Sequence, residues 1–248
     1  MRLYPRLWER KRKHGYFVDN AVIMAAGLSS RLAPLSYEKP KALFEVRGEI
    51  LIERQICQLQ EAGIREIVVV IGYKKEQFYY LKEKYGIILI ENPEFLTRNN
   101  HSSIWAARDY LKNTYICSAD NYFMENPFEQ EVEESYYAAV FSEGKTEEWC
   151  LQTDDEGKIT GITIGGCNQW YMMGHAFWSI DFSRKFIAII EKVYGEESTK
   201  NKLWEHIYME NLPQLKMKMR RYPRNQIYEF DSLEDLKRFD RKYQYYSI

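Results

Sequence analysis

The stretch from Met24 to Leu43, MAAGLSSRLAPLSYEKPKAL, holds the residues best suited to chemistry. Ala25, Ala26, Gly27, Leu28, Ser29 and Ser30 are mostly small, so their backbone N–H groups can approach an anion closely and cradle a phosphate. Arg31 and Lys41 add two cations around the segment that contains Pro34 and Pro40. Arginine grips phosphate oxygens in a bidentate fork, while lysine acts as a compact point charge. The segment lacks the Gly-Lys-Ser/Thr of a P-loop and the Gly-x-Gly-x-x-Gly of a dinucleotide fingerprint. Two acids complete the set: Asp120, within Ser118-Ala-Asp-Asn121, and Asp231, just before Ser232. A hard divalent ion such as Mg2+ takes carboxylate oxygens together with substrate phosphates, and this pair could hold one. Asp231-Ser232 reads equally well, on local sequence, as a helix cap.

These groups need strand ends to hold them in place. Residues 21–25 are an apolar run entering the Gly27 loop, as a first strand would. Apolar residues recur at helical spacing from Ile50 to Ala62, and Gly63 is a stop signal. Residues 66–71 are β-branched almost throughout, as a strand covered on both faces would be. A helix over 74–85 ending at Gly86, a strand over 87–91, a helix over 102–111 capped by serine, and a strand over 114–118 follow. This alternation predicts a parallel sheet with right-handed crossovers, which puts the Gly27 loop and Asp120 at the same edge. After Asp120 the pattern predicts strands over 136–142, 149–153, 159–164 and 170–180, with a hairpin turn at Asp155-Glu-Gly157. Helices over 182–194 and 200–210, strands over 215–222 and 227–230, and a last helix capped by Ser232 complete the chain. The fold class is α/β, a doubly wound, mostly parallel, Rossmann-like sheet with mixed strands and helices added in the second half. Residues 1–18 read as a basic N-terminal extension and 19–248 as one domain.

Composition narrows the function classes. The 248 residues carry 35 Lys+Arg against 36 Asp+Glu, a balance that argues against nucleic acid as a partner. The mean hydropathy of −0.54 and the short apolar runs exclude membrane insertion. Cys57, Cys117, Cys150 and Cys167 are far apart, without the spacing of a zinc site or disulfide framework, which fits a reducing, cytoplasmic setting. Aromatic residues make up 15% of the chain, enough to wall a ligand as well as pack a core.

The first loop resembles the signature of nucleotidyltransferases that join a nucleoside triphosphate to a phosphate-bearing acceptor and release pyrophosphate. Its usual form is Ala-Ala-Gly-x-Gly-x-Arg, then Thr or Ser, then Pro-Lys; Ser29 stands here where the second glycine is usual. Within that superfamily the chain is most similar to CTP:phosphocholine cytidylyltransferases. The similarity is carried by GYKKEQF from Gly72, LKEKYG from Leu81, Asn99-Asn100 with Ser103, Ala119-Asp-Asn-Tyr122, Glu148-Trp149 and IYEFDS from Ile227. It spans nearly all of the chain beyond the basic arm.

The resemblance implies Mg2+ on Asp120 and Asp231, with Arg31 on the leaving phosphates and Lys41 on the acceptor or α-phosphate. Residues Ala25 to Ser30 would hold the nucleotide, with Asn100 and Ser103 at the rim. It makes residues of about 19–120 the nucleotide-binding half and about 121–248 the acceptor-binding half. A quaternary ammonium is held by aromatic faces with an acid nearby, and Trp149, Trp204, Tyr171 and Glu148 are the candidates, with Glu147 and Glu205 as further acids in the same half. In Thr199–Trp204 the acid expected near Asn201 is absent, and Leu203 stands where an aromatic is expected. Phosphoethanolamine, 2-aminoethylphosphonate or a sugar 1-phosphate therefore stays open as acceptor, as does a fused or associated kinase. His175 and His206 read as structural. A catalytically silent, nucleotide-binding regulator is the remaining alternative, although Arg31, Lys41, Asp120 and Asp231 are all present. Oligomeric state is not legible.

Overall fold

The structure is a computed structural model that describes residues 11–12 and 15–246. Its main sheet has seven strands, numbered here in chain order: β1 Asn20–Ala25, β2 Glu66–Ile71, β3 Ile88–Glu91, β4 Thr114–Ser118, β5 Tyr136–Thr153, β6 Ile159–Trp178 and β7 Lys218–Tyr222. Their order across the sheet is β3-β2-β1-β4-β6-β5-β7. Strands β1 to β4 are parallel, β6 runs antiparallel to both β4 and β5, and β7 is parallel to β5. The parallel strands are apolar on both faces because each face meets its own core. Ala21, Ile23, Ile67, Val69, Ile71 and Cys117 pack on one side; Val22, Val68, Val70 and Ile116 pack on the other. Strand order reverses at β1, between β2 and β4, so a crevice opens at their carboxyl ends.

The predicted elements of the first half are present with small shifts. The helix Leu51–Glu61 buries Leu51, Ile52, Ile56 and Leu59, and Gly63 ends it with φ 85. The segment predicted as one helix over 74–85 is a 3-10 turn, Lys75–Phe78, followed by Tyr80–Tyr85, with Gly86 at φ 68 as its stop. Serine does not cap the next helix. His101–Ala106 begins after Asn100, and the hydroxyls of Ser102 and Ser103 instead accept from the buried Asn92 side chain at 2.8 and 3.2 Å. A buried amide needs acceptors, and that need outweighs the capping preference.

Two further expectations are corrected. The four short strands predicted between 136 and 180 are two long ones, β5 and β6, joined by the turn at residues 154–158. Their outer parts are glycine-rich and exposed, so alternation vanishes there while the ladder continues through Lys145↔Cys167 and Thr146↔Gly166. The N-terminal extension does not reach residue 18. Gly15–Phe17 is a strand paired with Glu131–Val132, and Val18 is buried in the core. A Cβ on Gly15 would stand 2.8 Å from the Val132 carbonyl oxygen, so glycine allows that approach. Residues 1–10, 13 and 14, which carry most of the predicted basic arm, lie outside the described residues.

Beside the sheet, Asn121–Phe123 pairs antiparallel with Ile227–Glu229, placing Asn121 opposite Glu229. A third core of Leu32, Phe44, Leu51, Tyr122, Phe230, Leu233 and Leu236 locks this ribbon, the last helix and the long first loop together.

Candidate active site

The crevice at the carboxyl ends of β1 and β4 is a cleft of about 820 Å3, within the usual ligand-site range of ~300–1,000 Å3. Its lining contains Ala25 through Arg31, Lys41, Asn100, Ser103, Asp120, Glu148, Trp149 and Asp231. The first loop leaves β1 through buried Ala25 and Ala26 and opens at exposed Gly27. Gly72 supports it from behind: a Cβ there would come within 2.9 Å of the Ala26 carbonyl oxygen and 2.8 Å of the Phe95 ring. Ser29 has φ 53 and ψ 42, the left-handed region that favours glycine, which accounts for the glycine usual at that position. Leu32 then anchors the chain in the third core, turning Arg31 back toward the ribbon.

The four predicted charged residues converge. The Lys41 ammonium lies 2.7 Å from Asp120 Oδ2 and 2.9 Å from Asp231 Oδ1. Arg31 Nη2 lies 3.0 Å from Asp231 Oδ2. The ribbon explains the meeting, because Asp120 immediately precedes one of its strands and Asp231 follows the other. Burial works against the Lys41 charge, but Asp120 and Asp231 outweigh it and hold the ammonium above the ordinary lysine pKa. The exposures divide the two cations: Lys41 is nearly covered, whereas the Arg31 side chain, though paired with Asp231, is 73% exposed.

A third acid, Glu229, was missed by sequence reasoning. Carboxylate oxygens of Asp120, Glu229 and Asp231 lie within 4.8 Å of one another, a group able to hold a metal ion. Burial, then Asp120 and Asp231, push the Glu229 pKa well up, with Lys41 opposing. Asp120 Oδ1 is buried without a hydrogen-bond partner among the described residues. An orphaned carboxylate oxygen in an all-oxygen acidic set fits a hard divalent cation such as Mg2+. The available signal was spacing, since Glu229 and Asp231 stand two apart in IYEFD and strand periodicity points both to one side.

At the other end of the cleft the predicted acceptor wall is only partly present. Trp149 and Glu148 line it. The Glu148 pKa is raised by burial and then by Asp231, with Arg31 opposing, so this acid belongs with the charged cluster. Trp204 does not line the cleft. It is 1% exposed and packs in the core, stacked on Tyr137 at 5.5 Å and edge-on to Trp178 at 5.0 Å. Tyr171 is not among the lining residues either; it is half-buried and packs against the main core. Glu205, one of the acids expected beside the acceptor pocket, does line the cleft, together with Tyr137 and Leu203, which were not predicted as site residues. Asn100, expected to face nucleotide, has its side chain engaged by Glu205 (Nδ2 to Oε2, 3.2 Å) and by the Trp204 amide (2.7 Å to Oδ1). Both histidines are structural. Buried His175 bonds the Tyr136 hydroxyl at 2.8 Å, its pKa lowered to about 3 by burial and then by Arg220. His206 Nδ1 accepts from the Leu203 amide at 3.0 Å.

Residues 21–197 match the model of the MobA-like NTP transferase domain. The chain belongs to that family. This nucleotidyltransferase is 36% identical to the choline-phosphate cytidylyltransferase of Streptococcus pneumoniae, over 89% of its own length and 96% of the relative's. It is 38% identical to a 2-aminoethylphosphonate cytidylyltransferase of Lancefieldella rimae, over 91% and 94%. Among solved structures, the CTP:phosphocholine cytidylyltransferase from Streptococcus pneumoniae superposes with a TM-score of 0.87, covering 92% of this chain and 99% of that one at 36% identity. The inositol-1-phosphate CTP transferase from T. maritima shares the fold, with a TM-score of 0.69 at 17% identity. As a nucleotidyltransferase the chain is an enzyme, and its large sheet is the α/β, Rossmann-like sheet of these neighbours. Among the described residues no helix is long and apolar enough to cross a membrane.

Proposed function

We propose that this enzyme is a Mg2+-dependent cytidylyltransferase that joins CTP and phosphocholine to give CDP-choline and pyrophosphate. The observation that carries the reading is the convergence of Lys41, Asp120 and Asp231 beside the first loop in a chain alike over nearly its full length to a choline-phosphate cytidylyltransferase. Asp120, Glu229 and Asp231 would hold the Mg2+, which when bound supplies charge neutralisation between the nucleotide phosphates and the acceptor phosphate. The backbone of Ala25 to Ser30 cradles the triphosphate, with the base near Ala25–Gly27 and Ser103 at its rim. Arg31, exposed at the rim of the cleft, covers the β- and γ-phosphates, where charge gathers as pyrophosphate leaves. Lys41 is held at the α-phosphate end, where the acceptor oxygen attacks phosphorus. Two anions must meet there, so the protein works by alignment and charge. No general base is required, because the attacking phosphate oxygen is already anionic.

The acceptor is itself a phosphate ester, so a kinase reaction, in a fused or separate protein, supplies it. A cytoplasmic setting accords with a CTP substrate and with the four free cysteines. The second reading, transfer to 2-aminoethylphosphonate, is favoured by the relative at 38% identity and by the withdrawal of Trp204 into the core. Pyrophosphate release across a grid of CTP, UTP and ATP against phosphocholine, phosphoethanolamine, 2-aminoethylphosphonate and glucose 1-phosphate tests both. Turnover with CTP and phosphocholine no better than with UTP and glucose 1-phosphate would end the proposal.

A further inference from the structure

We propose that Glu205 is the residue that reads the acceptor's nitrogen, taking the positive charge that sits two carbons from the acceptor's phosphoryl group. The inference rests on the proposed reaction and deepens it. Glu205 lines the cleft beside Leu203, and Trp149 stands near the same helix start, with its ring 4.5 Å from that of His206. Both Glu205 oxygens are already oriented. Tyr137 donates its hydroxyl to Oε1 at 3.2 Å, and Asn100 donates its amide to Oε2 at 3.2 Å. Asn100 is fixed in turn by the Trp204 amide. These partners are neutral, and among the described residues no lysine or arginine forms an ion pair with Glu205.

A carboxylate accepts about four hydrogen bonds, so each oxygen keeps capacity for a ligand. A half-buried acid oriented by two donors and offset by no cation calls for a cation from the ligand. Glu205 lines the same cleft as the metal-binding acids Asp120, Glu229 and Asp231. Tyr137 bridges the two, since its phenol is pushed up by burial, then by Glu205, Glu229 and Asp120. Glu205 and the metal-binding acids Asp120 and Glu229 are thus all neighbours of Tyr137, so one short zwitterion can present its nitrogen to the first and its phosphoryl group to the others. Glu148 differs from Glu205 in its surroundings, since after burial the charges that bear on it are those of Asp231 and Arg31, at the phosphoryl end. Asn201, where an acid was expected, is exposed, and its carbonyl is engaged by Asn99. The charge is supplied four residues later, from the first turn of Trp204–Glu210.

The test compares phosphocholine with 3,3-dimethylbutyl phosphate, which has the same shape with carbon in place of the charged nitrogen. Both are assayed with the full chain, CTP and Mg2+, following pyrophosphate. The wild type should show a KM for the neutral analogue about 10–100-fold higher, the discrimination expected of one charge-assisted contact. Glu205→Gln should close that gap to within about threefold of unity while leaving the KM for CTP and the kcat at saturating acceptor nearly unchanged. Glu205→Asp, which retracts the charge by one methylene, should narrow the gap without closing it, and serves where the glutamine variant does not fold. A gap that persists in Glu205→Gln, or is untouched in Glu205→Asp, overturns the assignment of Glu205 alone. A wild type that turns over no cationic acceptor overturns the proposed reaction, and the part given to Glu205 falls with it. Phosphoethanolamine and 2-aminoethylphosphonate, run in parallel, separate primary from quaternary nitrogen, and loss of Glu205 should raise KM for whichever is used.

Discussion

Replacing Lys41 by methionine tests the site at its centre, because the change keeps the aliphatic stem and removes only the charge. In the free enzyme the ammonium separates Asp120 from Asp231 at 2.7 and 2.9 Å and is one of two cations near three crowded acids. Without it, each pair of carboxylates at up to 4.8 Å repels by roughly 3–4 kcal/mol at an effective dielectric of about 20. Arg31 remains at 3.0 Å, and Asp231 is 37% exposed, so solvent screens part of that repulsion. Proton uptake by Glu229, already pushed toward its neutral form, relieves more. A net loss of about 2–3 kcal/mol is expected, near the lower end for breaking a buried pair. For a chain of this size that lowers Tm by about 5–10 °C. Added Mg2+ should restore most of it, and should bind the variant more tightly than wild type in the absence of nucleotide, because the competing ammonium is gone. Turnover should move the other way. Loss of a charge stabiliser at the reacting phosphate lowers kcat by about 10²–10³-fold, and added Mg2+ should not recover it. Thermal melts with and without Mg2+ and pyrophosphate release at saturating substrates read the two effects separately. A kcat within about threefold of wild type, or a melt insensitive to the substitution, would refute the placement of Lys41 between the acids.

Other outcomes are accessible to simple assays. Burial raises the Glu205 pKa to about 7, so its ionised form is lost as pH falls through that value. The groups facing it, the Tyr137 hydroxyl and the Asn100 amide, do not titrate there. The acceptor KM should therefore climb below about pH 7 in wild type, while Glu205→Gln keeps only the dependence due to the acceptor phosphate itself, whose second pKa is near 6; identical profiles would contradict the assignment. Ser29→Gly should relieve ~1–2 kcal/mol of left-handed strain against ~0.5–1 kcal/mol of added chain entropy, raising Tm by about 1–4 °C; a lower Tm would show that Ser29 is not strained. Trp204→Ala should cost about 3–5 kcal/mol as a core truncation, whereas Trp204→Phe should fold and leave acceptor KM unchanged. A large KM effect in the phenylalanine variant would return Trp204 to the acceptor wall.

What the sequence shows clearly is what neighbouring residues decide among themselves. The β-branched run at Glu66–Ile71 and the glycine stops at Gly63 and Gly86 declare themselves locally. So do Arg31 and Lys41, since charge beside a loop of small residues implies an anion wherever the loop ends up. Asp120 and Asp231 were legible as single acids at strand ends, but their meeting depends on the register that sets Asn121 opposite Glu229. That register is a long-range pairing, fixed by the core that Tyr122 and Phe230 share with Leu32 and Phe44. Glu229 stayed hidden for the same reason: one glutamate in a short strand looks like a solvated face until its partner strand is known. The acceptor wall failed in the opposite sense. Trp204 looked like a ligand surface because the type of a residue is visible in sequence, whereas the direction of its side chain is not. The helix from Trp204 to Glu210 begins so that the tryptophan turns into the core and the next residue, Glu205, faces the cleft. One step along a helix exchanges an aromatic face for a carboxylate, and so changes how the acceptor's charge is held while leaving the reaction at its phosphate the same.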